Sequence, residues 1–301
     1  MSTVFQVWSL ILSDIIGDPL HLIASGPTIP HSNSRVNALT ICDKYNILGH
    51  IPSSVQSVLS RPDVRKLPVF ESGNVVNALI GSNDIALKVA ASEADKHNYF
   101  VVCLGRSLCG EAKSLGHVFG QLGHYLQFFE SFTNEEKLLF KHRIASGFVE
   151  HDAQAENVQS IFHAMESGPL HSKTCSGLCV IGGGETTVTL QENCGKGGRN
   201  QEMVLSAAIE LHASKNASSN CPNGSILFLS AGTDGQDGPT PAAGAFVDSE
   251  LLNTFDAARA TEHLNNHDSY SFFKRMDYGL VNTGLTGTNV MDVHILMWSF
   301  T

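Results

Sequence analysis

Apolar positions along the chain follow two rhythms. Short continuous runs read as buried strands at Val4–Leu12, Val75–Ile80, Tyr99–Leu104, Cys179–Ile181, Ile226–Leu229 and Val293–Trp298. Between them, apolar residues recur at helical spacing. The clearest case is Met203, Val204, Ala207, Ala208 and Leu211, one face of a helix that runs to His212. Helices are also expected over Asn37–Tyr45, Pro52–Leu59, Ile85–Asn98, Glu111–Leu126, Glu135–Arg143, Glu156–Glu166, Ser249–Ala260 and Ser269–Arg275. Gly81-Ser82-Asn83-Asp84 reads as a turn with a helix N-cap. Thr186–Leu190 reads as a hairpin partner of Cys179–Ile181, and Val281–Gly287 with Asn289–Asp292 as closing segments. Arg61–Gly73 and the Ser/Asn-rich Ser214–Ser225 read as a linker and a loop. Strands alternating with helices imply an α/β fold of mostly parallel sheets with flanking helices.

Composition adds limits. A length of 301 residues fits one large or two medium domains. Net charge is −10 and no basic run occurs, which argues against nucleic acid or an acidic membrane surface as partner. Any anionic ligand then needs specific local cations. The seven cysteines form no CxxC pair and read as free thiols. The fourteen histidines are dispersed. The first apolar run lacks a basic flank and is too short to span a bilayer.

Four loops that follow strand-like runs share Gly, Thr, Asn and Asp: Ser13–Pro27, Gly182–Thr187 with Gly195–Gln201, Gly232–Pro239, and Thr283–Asp292. In one sheet such loops can converge on the edge where ligands bind. Gly195–Gln201 opens directly into a helix, so its backbone N–H groups form an anion site, with Lys196 and Arg199 adding charge. The alternative is a plain glycine-rich turn with a surface arginine. Asp234 and Asp237 offer paired carboxylates to a hard cation such as Mg²⁺, and Asp292 is a third. Thr286-Gly287-Thr288-Asn289 offers hydroxyls and N–H groups to an anion. Asp14 and Asp18 stand where a strand end would present them, or cap turns. No Walker A, dinucleotide fingerprint or nucleophile elbow is present.

Together these loops resemble the MOFRL-type glycerate kinases. The segments that carry the likeness are Leu10–Pro30, Gly182–Leu190, Gly195–Glu202, Gly232–Asp248, His267–Phe273 and Thr283–Leu296, in family order. The resemblance implies a Rossmann-like two-domain arrangement with the active site between domains. It implies transfer of the ATP γ-phosphate to D-glycerate, with Mg²⁺, giving phosphoglycerate. It puts Arg199, Lys196 and Asp234 in catalysis and Asp234, Asp237 and Asp292 at the metal. Gly183, Gly184, Glu185, Thr186, Gly197, Gly198, Asn200, Thr286, Gly287, Thr288 and Asn289 would bind substrate or phosphate, and Asp14, Asp18 and Ser25 would face the cleft.

The chain also departs from the family pattern. A further half-domain before Leu10, a GKA-type lysine segment, an SGGGSA loop and an EIN..R segment are absent. The family's NDSY stands here as His267-Asp268-Ser269-Tyr270, and the ending after Trp298 differs. The expected division is therefore residues 1–70 as the remnant of a first domain and 71–301 as a C-terminal α/β domain holding the MOFRL region, about 174–298. The second expectation is a form incompetent alone, which binds ligand or associates with the full-length kinase or with itself. Residence is expected in the cytoplasm or mitochondrion.

Overall fold

The computed structural model describes residues 6–29, 35–61, 74–192, 194–217 and 222–300. Two compact units share the chain: Met1–Ile11 with Pro19–Ala78, and Leu12–Asp18 with Leu79–Thr301. The early elements are strand β1 (Val7–Leu12), helices α1 (Arg35–Lys44) and α2 (Ser53–Leu59), and strand β2 (Val75–Gly81). Strands β1 and β2 pair in a two-stranded ribbon. In the smaller unit the Thr28 hydroxyl donates to the Asn77 side chain. The expectation of a buried first strand is corrected, because Trp8 and Leu10 are 63% and 67% exposed. A two-stranded ribbon has no packed second layer of its own. Val4 and residues 62–73 of the expected linker lie outside the described residues.

In the larger unit the order continues with α3 (Asn83–Lys96), β3 (Tyr99–Leu108), α4 (Ala112–Phe128), α5 (Asn134–Glu150), α6 (Ala155–Glu166), β4 (Gly177–Gly184) and α7 (Arg199–Ala217). It ends with β5 (Ser225–Gly232), β6 (Gly244–Asp248), α8 (Ala257–Asn265), α9 (Ser269–Met276), β7 (Leu280–Val281) and β8 (Asp292–Ser299). Ser82 caps α3 as expected, its hydroxyl accepting from the Ile85 N–H. Among the described residues no helix is long and apolar enough to cross a membrane.

Six strands lie in the order β3-β4-β8-β5-β6-β7. The α/β class with flanking helices stands, but the mostly parallel sheet does not. β3 and β4 run parallel, whereas β4–β8, β8–β5, β5–β6 and β6–β7 are antiparallel. The cause lies in the connections. A parallel pair needs a long crossover, usually a helix, whereas only a loop joins β5 to its neighbour β6, and β8 enters between β4 and β5 running against both. Thr186–Leu190 is not a hairpin partner either. β4 is flanked by β3 and β8, and Thr187 makes a lone bridge to Glu111. The expected Ser249–Ala260 helix starts late, at Ala257, where the Asp256 side chain accepts from the Arg259 N–H.

β4 is buried along its whole length. One face of the sheet carries the main core, in which α4 and α7 pack against each other. Glycines on α4 allow that approach. A Cβ on Gly116 would lie 2.1 Å from the Met203 carbonyl oxygen of α7. On the other face, α3 sets Leu87 against Cys179 and Ile181 of β4.

Candidate active site

Register places the site. Asp292, first residue of β8, stands opposite Gly184, the last of β4, and opposite Gly232, the last of β5. Because β8 runs against both neighbours, its start shares an edge with their ends. The loops after β4 and β5 and the loop before β8 therefore meet there, beside the first turn of α7. Asn83 adds a tie: its amide donates to the carbonyls of Val290 and Asp292 at 2.9 Å each.

Arg199 opens α7. Its Nε and Nη2 donate to the two oxygens of Asp292 at 2.5 and 2.9 Å, and its Nη1 lies 3.0 Å from Glu185 Oε1. Asp292 is fully buried, Arg199 one-third exposed and Glu185 about half exposed. A two-pronged pair of this kind fixes the plane of the guanidinium as well as its position. Burial works against the Arg199 charge. The Asp292 hydrogen bonds outweigh it, joined by the charges of Asp292, Glu185 and Asp237, and hold the group above its ordinary value.

Asp237 reaches back from the loop after β5 to close the N-terminus of α7. It accepts from the backbone N–H groups of Asn200 and Gln201 at 3.1 and 2.9 Å and from both side-chain amides. Gly198 makes room: a Cβ there would lie 2.2 Å from the Asp237 carboxyl carbon. Burial pushes the Asp237 carboxyl upward, against the pull of those N–H donors. Behind this cap, the Ser230 hydroxyl donates to Asn200 Oδ1 at 2.5 Å, and Ser230 lies 2.8 Å from His294 Nδ1. A hydroxyl with its one proton already placed must accept from Nδ1–H, which makes His294 the Nδ1 tautomer. Complete burial pushes His294 down to about 4.

A cavity of about 530 Å³ opens beside Arg199. Its wall comes from Ile16, from Glu185, Thr186, Thr187, Val188 and Leu190 after β4, from Cys194, Gly195, Gly197 and Gly198 of the turn before α7, from Arg199 and Glu202 of α7, and from Gly238, Pro239 and His267. The Thr186 hydroxyl is buried without a partner among the described residues.

Several expected residues have other duties. Gly183 and Gly184 lie within β4, paired to Val293 and Asp292, rather than in an open phosphate loop. The three expected metal carboxylates are each engaged elsewhere. Asp237 is engaged by the α7 terminus and Asp292 by Arg199, and among the described residues no three metal-ligating side chains cluster. An aspartate that caps a helix and one that holds a metal look alike in sequence. Asp234 accepts from the Gln236 N–H within its own loop. The Thr286 hydroxyl donates to the Thr233 carbonyl, Thr288 N–H to Thr286, and Met291 N–H to Asn289, so this segment orders its loops. Lys196 is exposed and is not in the cavity wall; its backbone N–H donates to Asp268. Asp18 pairs with Arg106 at 2.7 Å, while Asp14 and Ser25 are exposed. The Glu202–His267 pair in the wall was missed. Its signals were the last letter of GGRNQE and the unusual first letter of HDSY.

Comparison with known proteins decides the family. Glycerate kinase of Macaca fascicularis is 40% identical over 97% of this chain and 72% of its own length. The chain belongs to the glycerate kinase family. The MOFRL family model matches residues 178–292, and a domain of unknown function, DUF4147, matches residues 1–60. The MOFRL match spans the strands and loops of the site from β4 to Asp292. Glycerate kinase of Mus musculus is 41% identical over 97% of this chain and 54% of its own length. The crystal structure of glycerate kinase from Thermotoga maritima superposes with a TM-score of 0.68 at 32% identity, covering 97% of this chain and 57% of that one. The chain thus spans little more than half the length of the mouse and Thermotoga members.

Proposed function

We propose that this protein is a glycerate kinase: ATP and D-glycerate give ADP and phosphoglycerate. A glycerate hydroxyl oxygen forms a bond to the γ-phosphorus, the bond from that phosphorus to the ADP oxygen breaks, and the hydroxyl proton passes to water. Phosphoryl transfer of this kind depends on positioning and charge neutralisation more than on covalent help from the protein.

The observation that carries the reading is Arg199, fixed by a buried carboxylate at the first turn of a helix whose N-terminus faces a cavity. Asp292 holds the guanidinium fork. Glu185 holds only Nη1, at a half-exposed position where an ion pair is weak. An anionic oxygen of the substrate can replace Glu185 there while Asp292 keeps the group in place. Val188, Leu190 and Pro239 give the cavity an apolar side.

The three carboxylates do not form an open metal cage: the Asp237 carboxylate accepts four hydrogen bonds from the α7 terminus, and Asp292 is committed to a two-pronged pair with Arg199. Mg²⁺ typically comes with the nucleotide and is ligated largely by phosphate oxygens and water. No step is assigned to a metal held by Asp237 or Asp292. A coupled ADP-release assay with Mg-ATP tests the function. Saturable release that requires D-glycerate is expected. Release that is absent, or equal with and without D-glycerate, overturns the reading.

A further inference from the structure

Glu202 and His267 stand in the cavity wall but take no part in the steps above. Glu202 lies one turn along α7 from Arg199. Its side chain is 3% exposed and that of His267 is 4% exposed, and a Glu202 carboxylate oxygen lies 3.1 Å from His267 Nδ1. The other ring nitrogen, Nε2, is buried with no hydrogen-bond partner among the described residues. Buried polar atoms are rarely left unpaired, because they lose hydration and gain nothing. Here one belongs to a wall residue of a cavity that can take a small ligand, which makes a ligand atom its natural partner.

Local charge says what kind of atom. Asp292 and Glu185 already answer the positive charge of Arg199. Glu202 brings a further carboxylate to the same wall. An anionic substrate entering here needs a second cationic donor. Imidazole becomes one by taking a proton near neutrality. With Nδ1–H held by Glu202, a protonated ring has Nε2–H left for the ligand.

We propose that His267, oriented by Glu202, is a specificity-determining residue of this cavity, its Nε2–H donating to a carboxylate or phosphoryl oxygen of the anionic substrate. The other charged and titratable groups nearby are few. Glu111 and Lys113 act on Glu202, Arg199 and Cys194 share the cavity wall, and Asp268 is paired with His263 at 3.0 Å on the same corner as His267. Burial pushes the Glu202 carboxyl upward while His267 pulls it back. Asparagine, which the family pattern carries at this position, offers a donor but no charge.

The inference rests on the kinase reading only for the class of ligand. Its test uses calorimetry without nucleotide, so lack of turnover and lack of proton-linked binding are separate results. The probes are D-glycerate and sulfate, whose charges stay fixed near neutrality. For wild type, at least one probe is expected to bind about tenfold more tightly at about pH 6 than at about pH 8. Titrations in two buffers of different ionisation heat should show proton uptake. His267→Asn should weaken binding at the lower pH about tenfold and remove the pH dependence. Glu202→Gln, which keeps the side-chain shape, should do the same. The wild-type titrations stand even where a variant folds poorly. Binding with no proton uptake, binding of neither probe, or a pH dependence that survives in folded His267→Asn overturns the proposal.

Discussion

Asp292 takes both prongs of the Arg199 guanidinium from a fully buried position, so at the scale of single residues the site is a held charge rather than a free one. Removing the arginine alone would strand that carboxylate, and unpaired buried charge is costly. Lysine at 199 keeps the charge and loses the fork, which makes it the more informative substitution. His294 illustrates a second residue-scale effect. Its folded value of about 4 lies below the ordinary 6.5. Between those values the unfolded chain binds a proton that the fold excludes. Stability from this group is therefore complete above about pH 6.5 and falls as pH drops toward 4, by about 3 kcal/mol in all. Urea midpoints across that window should show the loss, and His294→Asn, whose amide can replace the Nδ1–H donor, should flatten it. An equal slope in both proteins would contradict the assignment. The sequence named Arg199, Asp234, Asp237 and Asp292 as chemistry-bearing but not their duties. Which atom an aspartate faces is set by register and loop path, and neither is written in its own neighbourhood.

Helix α7 connects these residues to the core. It packs along α4 through Gly116 and Gly120, where a Cβ would strike the Met203 carbonyl oxygen or the Glu210 side chain at 2.1 and 2.6 Å. Gly116→Ala pushes against backbone, which cannot rotate away, so it is expected to destabilise the fold by about 1–3 kcal/mol. Gly49→Ala, at a position with nothing within 4 Å, is the control and should leave the melting temperature close to wild type. Equal melting of the two variants would contradict the packing account. At this scale much was legible. Helical periodicity gave α3, α4, α6 and α7, and GSND gave the Ser82 cap. Strand direction was not legible, because apolar runs look the same either way along a sheet. β6 was missed because Gly244–Asp248 is short and follows directly on a loop rich in Gly and Pro.

Across the molecule, the larger unit gathers three of the four Gly/Thr/Asn/Asp loops at one sheet edge. That convergence was foreseen from composition, though by a different route. A parallel sheet would bring strand ends together, whereas here β4 and β5 end where the antiparallel β8 begins. Membership of the glycerate kinase family agrees with the shared loops, and the MOFRL match spans the strands that carry them. We propose that the cavity beside Arg199 is where phosphoryl transfer occurs. The most direct measurement is kcat/KM for D-glycerate-dependent ADP release, wild type against Arg199→Lys. The account predicts a fall of at least about a hundredfold, toward the ~10³–10⁵ of an arginine that stabilises the transferring phosphoryl group, with a melting temperature near wild type. A folded Arg199→Lys variant within about threefold of wild type, well short of that range, would contradict it.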